Sequence, residues 1–271
     1  MKRLLVLLAL VLPACGPAGD TIETRTGDIH LPDGVVVDLS YAFGEDTIYW
    51  PTATGFEKST DFEGITGAGY YYSAYAFSSA EHGGTHLDAP VHFAEGHLTN
   101  DQLDVGRLMG DAVLIDVSEQ ALADRDYLIT VADIEAWETV HGTISDGAIL
   151  LFRTGYGRYW PDRERYMGTA EIGEDAVAKL HFPGIDPDAA RWLVENRSVN
   201  AVGIDTPSID RRQSTLFETH QILFSADIPA FENVANLDRL PETGFVVIAL
   251  PMKIECGSGG PLRIVAITPG G

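Results

Sequence analysis

Between residues 82 and 92 the chain reads His-Gly-Gly-Thr-His-Leu-Asp-Ala-Pro-Val-His, which puts His82, His86, Asp88 and His92 at positions of one parity. Imidazole nitrogens and a carboxylate without sulfur are a donor set for a divalent cation such as Zn²⁺ or Mn²⁺. Side chains of one parity share a face of an extended strand. A straight strand would nevertheless hold His82 and His86 about 13 Å apart between Cα atoms, while a metal–nitrogen bond is only about 2 Å long. A bend between them is required, and Gly83-Gly84 is the pair that permits one. Pro90 opposes a regular central strand beyond that point. A helix would also put positions 82 and 86 on one face, but Gly-Gly-Thr between them opposes it. A lone histidine is usually solvated or hydrogen-bonded. Three with an aspartate around a glycine bend read instead as a kinked strand or loop presenting a metal site.

Downstream, His220 falls on the apolar stripe of a short expected helix, where by itself it reads as a satisfied core histidine. Glu232 stands between Ala230-Phe231 and Val234-Ala235, an apolar setting that a carboxylate seldom occupies without a partner.

The stretch His82-Gly-Gly-Thr-His86-Leu-Asp88-Ala-Pro-Val-His92-Phe resembles the signature of the cyclase family of metal-dependent hydrolases, which includes bacterial kynurenine formamidases and isatin hydrolases. The resemblance runs from about Val35 to Ile267. The segment from Gly203 to Asp210, followed by His220 and by Glu232 twelve residues later, is similar to the family's second metal-binding segment. The resemblance therefore implies His82, His86, Asp88, His220 and Glu232 as ligands of one or two divalent ions, with Asp88 able to bridge a pair. It implies a mixed β-sheet closing toward a barrel and flanked by helices, a swivelling-type α/β fold, and homo-oligomers, dimers or tetramers. The implied activity is cleavage of a small amide, arylformamidase-like or isatin hydrolase-like. In such a site a metal-bound water has its pKa lowered from about 15.7 toward about 7 and becomes a hydroxide nucleophile. His92 is the candidate general acid and base, or else a further ligand. Asp205 and Asp210 are candidates to orient a ligand imidazole, with a turn-forming role as the alternative. Trp50, Phe56 and Phe93 are candidates for the pocket wall, and the aromatics from Tyr70 to Phe77 would suit a flat aromatic substrate. A carbonyl-substrate cyclase or lyase, and a lipoprotein that only captures metal, are the alternatives to an amidohydrolase.

Composition narrows the partners. The 271 residues include 40 acidic and 18 basic side chains, a formal charge of −22, spread along the chain. Such a surface repels phosphate backbones and anionic headgroups, which excludes nucleic acid as a main partner. Residues 1–15 form a basic start, an apolar run from Leu4 to Leu12 and Pro-Ala-Cys, a secretory signal too short to span a bilayer. Leu-Pro-Ala-Cys15 also resembles a bacterial lipoprotein signal, so the expected product is exported and periplasmic, or membrane-held only through lipid on Cys15. Residues 16–34 read as a flexible tether and 35–271 as one hydrolase domain.

The elements that must position the site follow from local patterns. Strands are expected at Val35–Leu39, Tyr70–Phe77, Ala112–Val117, Ala148–Arg153, Ala201–Asp205, Phe245–Leu250 and Leu262–Ile267. A helix opens at the Thr130…Asp133 capping box and stops at Gly142, and another starts at Asp186-Pro187. A third is expected from a Thr215…Glu218 box through Phe224, with Leu216, His220 and Leu223 inward. Residues 40–69 and 156–173 read as loops.

Overall fold

The computed structural model describes residues 33–212 and 214–270. The expected signal, Cys15 and nearly all of the expected tether lie outside the described residues. The first strand, β1 (Gly34–Asp38), starts one residue earlier than expected. An exposed hairpin follows, β2 (Glu57–Ile65) and β3 (Tyr71–Ser78), and then the short β4 (His86–Asp88). Next come β5 (Met109–Asp116), helix α1 (Ser118–Ala123), β6 (Leu128–Ile129), α2 (Val131–His141) and β7 (Ile149–Arg153). The middle holds α3 (Arg163–Met167), α4 (Glu174–Val177), β8 (Gly184–Ile185) and α5 (Pro187–Asn196). The chain finishes with β9 (Ala201–Ile204), α6 (Glu218–Phe224), β10 (Ala230–Glu232), β11 (Phe245–Pro251) and β12 (Gly259–Pro269). Among the described residues no helix is long and apolar enough to cross a membrane.

The main sheet runs β1-β12-β11-β5-β7-β9-β10-β4, and β4 pairs back onto β12. That last pairing closes seven of the strands into a barrel, as the resemblance implies. Strand β12 makes the closure possible through its length. Its residues 259–261 pair with β4 and residues 265–269 with β1 along the same edge, while β11 takes the other edge. β5, β7, β9 and β10 are mutually parallel; β4, β11 and β12 are antiparallel to their neighbours.

Alternate residues of each strand feed two cores, as the pleat dictates. In β7, Ile149 and Leu151 point inside the closed sheet with Leu87, Phe231 and Ile264, whereas Leu150 and Phe152 point out against the helices. The outer core is completed by Ile134 and Trp137 of α2, Ala189, Ala190 and Leu193 of α5, and Leu223 and Phe224 of α6. The Thr130–Asp133 capping box and the Gly142 terminus of α2 form as the sequence requires, and the Asp186 side chain caps α5.

Three expectations about the elements fail. Residues 57–65 are a strand of the hairpin, not loop, because β3 supplies their partner. Residues 156–173 are not a surface loop: Tyr156, Tyr166 and Met167 are fully buried with Phe182 in a third core. Leu216 is exposed, and α6 starts only at Glu218 after a left-handed Phe217, with no cap from Thr215.

Candidate metal centre

Register assembles the first part of the site. Glu232 of β10 lies directly opposite His86 of β4, and Ala230 opposite Asp88. Leu87 and Phe231 between them point into the barrel, so His86, Asp88 and Glu232 project together from its outer face. The bend before β4 forms where expected. Gly84 has φ +56°, and a methyl group there would lie 2.8 Å from two Phe43 ring carbons. At Gly83 a methyl group would overlap the Tyr49 ring. The bend swings His82 round so that its Nδ1 comes within 2.7 Å of Asp88 Oδ1. Gly84→Ala is expected to destabilise the protein by about 1–3 kcal/mol and to weaken metal binding, read by thermal denaturation with and without added metal.

α6 delivers His220 from outside. The Asp210 carboxylate accepts the N–H groups of Thr219 and His220, capping the helix in place of Thr215, and holds His220 Nδ1 at 2.6 Å. An acceptor-only carboxylate makes Nδ1 the N–H, so the Nε2 lone pair faces the cluster. Nε2 lies 3.2 Å from Glu232 Oε1 and 3.3 Å from Asp88 Oδ2. His86 is oriented the same way: its Nδ1 donates to the Gly84 carbonyl at 3.0 Å, and its Nε2 lies 3.1 Å from Asp88 Oδ1 and 3.5 Å from Glu232 Oε2.

The donor atoms of His82, His86 and Asp88 lie within 4.8 Å of one another, as do those of Asp88, His220 and Glu232. Two clusters sharing Asp88 could hold one ion or a bridged pair. The charge balance fits a divalent cation. Asp88 and Glu232 are almost fully buried, and among the described residues neither has a Lys or Arg partner. Buried carboxylates in such a setting require positive charge.

Without metal, protons must supply it. Burial pushes His86 down, but the charge and hydrogen bond of Asp88, with the charge of Glu232, more than offset this and raise it from 6.5 to about 9. His220 is likewise raised well above its ordinary value by Asp210, Asp88 and Glu232 against the opposing effect of burial. A histidine whose pKa rises on folding stabilises fully below its unfolded value and loses that contribution as pH passes the folded one. Metal-free protein is therefore expected to lose stability, on the order of a few kcal/mol, between pH 6.5 and about 9. Denaturant midpoints across that range check this, and the metal-loaded protein should show a flatter profile.

His92 follows β4 in a single 3-10 turn, Pro90–His92. Its ring stacks on His82 at 3.8 Å between centroids and 16° between planes, and among the described residues it makes no hydrogen bond through the ring. Burial pushes it down to about 4, with the positive charges of His82, His220 and His86 adding to the effect and Asp88 opposing it. A neutral, unheld imidazole beside the cluster has a free lone pair for a proton, and its lowered pKa makes the protonated ring quick to give that proton back.

The cluster forms the floor of a cavity of about 300 Å³ whose walls include Ile48, Tyr49, Trp50, Phe93, Pro207 and Phe217. No lysine or arginine lines it among the described residues. Trp50 and Phe93 take the expected positions; Phe217 meets Phe93 at 5.2 Å and Trp50 at 6.3 Å. Phe56 does not line the cavity: it stacks on Phe77 at the base of the hairpin. Tyr70, Tyr71, Tyr72, Tyr75 and Phe77 are exposed on the hairpin and line no part of it. Asp205 touches none of the cluster. It accepts the Thr154 and Gly155 N–H groups and the Thr154 hydroxyl, ordering the turn after β7. His97, His141 and His181 sit in carboxylate pairs away from the site, with Asp227, Glu242 and Asp126.

The sequence gives little sign of Phe217, Pro207, Tyr49 or Ser258, which reach the site from distant loops. Ser258 Oγ lies 2.8 Å from His82 Nε2. The only local signal is the Gly257–Gly260 run, where a side chain at Gly259 would overlap the Leu87 carbonyl.

Known proteins share the sequence pattern and the fold. The Cyclase family model ("Putative cyclase") matches residues 37–211. An isatin hydrolase from Roseibium aggregatum is 33% identical over 248 residues, 86% of this chain and 92% of that protein. A kynurenine formamidase from Bacillus cereus is 28% identical over 230 residues, 84% of this chain and 95% of that protein. Isatin hydrolase A from Labrenzia aggregata, solved with benzyl benzoate, superposes with a TM-score of 0.77 at 30% identity, covering 86% of this chain and 93% of that one. An isatin hydrolase solved with the product analogue thioisatinate gives 0.74 at 30% identity, covering 86% and 92%.

Proposed function

Because the chain belongs to the cyclase family of metal-dependent hydrolases, we propose that it hydrolyses a small, neutral, flat aromatic amide or lactam, with His82, His86, Asp88, His220 and Glu232 holding Zn²⁺ or Mn²⁺ and His92 moving the proton. The observation that carries this reading is the apolar cavity over the ligand cluster, free of lysine and arginine among its described lining residues. An α-carboxylate on the substrate, lying away from the ion that would bind the scissile carbonyl, would meet no lysine or arginine on the cavity wall. That favours an isatin-type lactam over an amino acid amide such as formylkynurenine. The 33% identity to an isatin hydrolase supports the same choice.

A bound divalent ion supplies a water of lowered pKa and polarises the substrate carbonyl. Trp50, Phe93 and Phe217 hold the ring against the cluster and exclude bulk water. His92, neutral above about pH 4, takes a proton from the attacking water as the C–O bond forms. It returns that proton to the amide nitrogen as the C–N bond breaks. The ring opens to one molecule bearing an amine and a carboxylic acid, whose remaining proton passes to solvent to leave the carboxylate. The leader ending in Cys15 supports an exported, lipid-anchored location for this activity.

The test is a hydrolysis panel on protein lacking residues 1–20, loaded with Mn²⁺ or Zn²⁺. Isatin is expected to turn over, with kcat/KM above that for formylkynurenine and with full loss on chelation. Bound metal without turnover of isatin, formylkynurenine or neutral cyclic imides would turn the assignment toward metal capture.

A further inference from the structure

Three imidazoles of the proposed ligand set are each held from behind, and the third is held differently. His86 and His220 are gripped through Nδ1 by the Gly84 carbonyl and the Asp210 carboxylate. Both of those oxygens only accept hydrogen bonds, so Nδ1 carries the proton and Nε2 faces the cluster. His82 is turned round. Its Nδ1 is the nitrogen at the cluster, 2.7 Å from Asp88 Oδ1, and its Nε2 rests 2.8 Å from Ser258 Oγ. Asp88 only accepts, so without a cation Nδ1 would carry a proton too. With a cation taking that place Nδ1 is bare, and a hydroxyl, which can donate or accept, does not by itself settle whether Nε2 then donates.

Glu81 settles it. Its Oε2 takes the Ser258 hydroxyl at 2.7 Å, the Ser258 N–H at 2.8 Å and the Gly259 N–H at 3.3 Å. With its proton committed to a carboxylate, the Ser258 oxygen can only accept from His82. We propose that Glu81 and Ser258 are positioning residues that keep the proton of His82 on Nε2 and so present Nδ1 to the metal. The inference rests on His82 being a ligand, as in the reading above. It adds that the Asp-His-Ser-Glu chain, which begins at Asp88 and ends on Glu81, outside the cavity lining, selects the coordinating nitrogen. The backbone bonds give Glu81 a second duty, anchoring the start of β12 beside His82. His82 needs such a hold more than the other two ligands. It lies outside β4, and its side chain is 24% exposed against 3% for His86 and for His220.

The experiment measures metal affinity and needs no substrate. Apo-protein is titrated with Zn²⁺ and Mn²⁺ against a chromophoric chelator, with the thermal midpoint of each metal-free variant recorded alongside. Ser258→Ala is expected to weaken binding about 10–100-fold, the range for losing a ligand's outer partner. Ser258→Thr, which keeps the hydroxyl, should stay within about threefold of the parent. Glu81→Gln places an amide oxygen where Oε2 accepts its three donors and should lose less than Glu81→Leu, which offers no acceptor. Nitrogen-15 NMR of the Zn²⁺-loaded protein should show a protonated Nε2 and a metal-shifted Nδ1 for His82. Parent-like affinity in Ser258→Ala, a Ser258→Thr variant as weak as Ser258→Ala at equal thermal midpoint, or coordination through Nε2 would each overturn the assignment. Because these readouts do not depend on turnover, they stand whatever becomes of the proposed substrate class.

Discussion

Asp88→Ala is expected to lose more than about 100-fold in metal affinity, exceeding the 10–100-fold typical for outer partners of a ligand. The accompanying fall in kcat/KM should be on the order of 10³-fold, about 4 kcal/mol. Asp88 is the one residue common to both donor clusters. Its Oδ1 faces His82 and His86, and its Oδ2 faces His220. Removing it takes a negative charge from a buried group of imidazoles, so those imidazoles lose the reason to attract a cation. Asp88→Asn makes the sharper comparison, since it keeps the volume and removes the charge. Metal per chain by elemental analysis, followed by an isatin hydrolysis assay, checks both. A variant that kept stoichiometric metal and parent-like turnover would reduce the convergence at Asp88 to a hydrogen-bonded network.

His92→Ala is expected to show the opposite division: metal content nearly unchanged and kcat down by about 10²–10⁴-fold, the range for losing a positioned acid–base group. The ring makes no hydrogen bond among the described residues, lies flat against His82 and belongs to neither donor cluster. The stacking complicates the alanine variant, because its loss frees one face of a ligand. His92→Phe keeps an aromatic plane on His82 and removes only the proton acceptor, and it should lose as much kcat as alanine does. Recovery of activity in His92→Phe would assign the residue to packing. The pH profile carries a second expectation. His92 is pushed down to about 4, so its protonation cannot produce an acid limb between pH 6 and 8. A limb found there belongs to the metal-bound water or to protons competing with metal for His86 and His220.

Much of the metal centre was legible along one stretch of chain because a strand's periodicity is local. The common parity of His82, His86 and Asp88, with glycines at the one place a bend was needed, describes the donor group before any contact is known. Gly84 then adopts the left-handed conformation that the bend requires. Helix α2 was equally legible, since its capping box lies within four residues of sequence. The start of α6 is not legible in sequence, for the complementary reason. A Thr-x-x-Glu pattern is present, but Asp210 arrives from the preceding loop and satisfies the N–H groups of Thr219 and His220 first. The placement of the β3 aromatics is not legible either, because strand propensity does not say which body a strand packs on. Paired only with β2, they face outward.

From its residues alone, then, this chain determined a donor set, a bend and most of the strands and helices that carry them, each written in neighbours within a few positions. Tertiary structure decided the rest. The register of β10 against β4 sets Glu232 opposite His86, and the 176 positions between His82 and Ser258 are bridged only when β12 closes the barrel on β4. Strand pairing is a long-range choice made by the burial of whole faces, so no local pattern contains it.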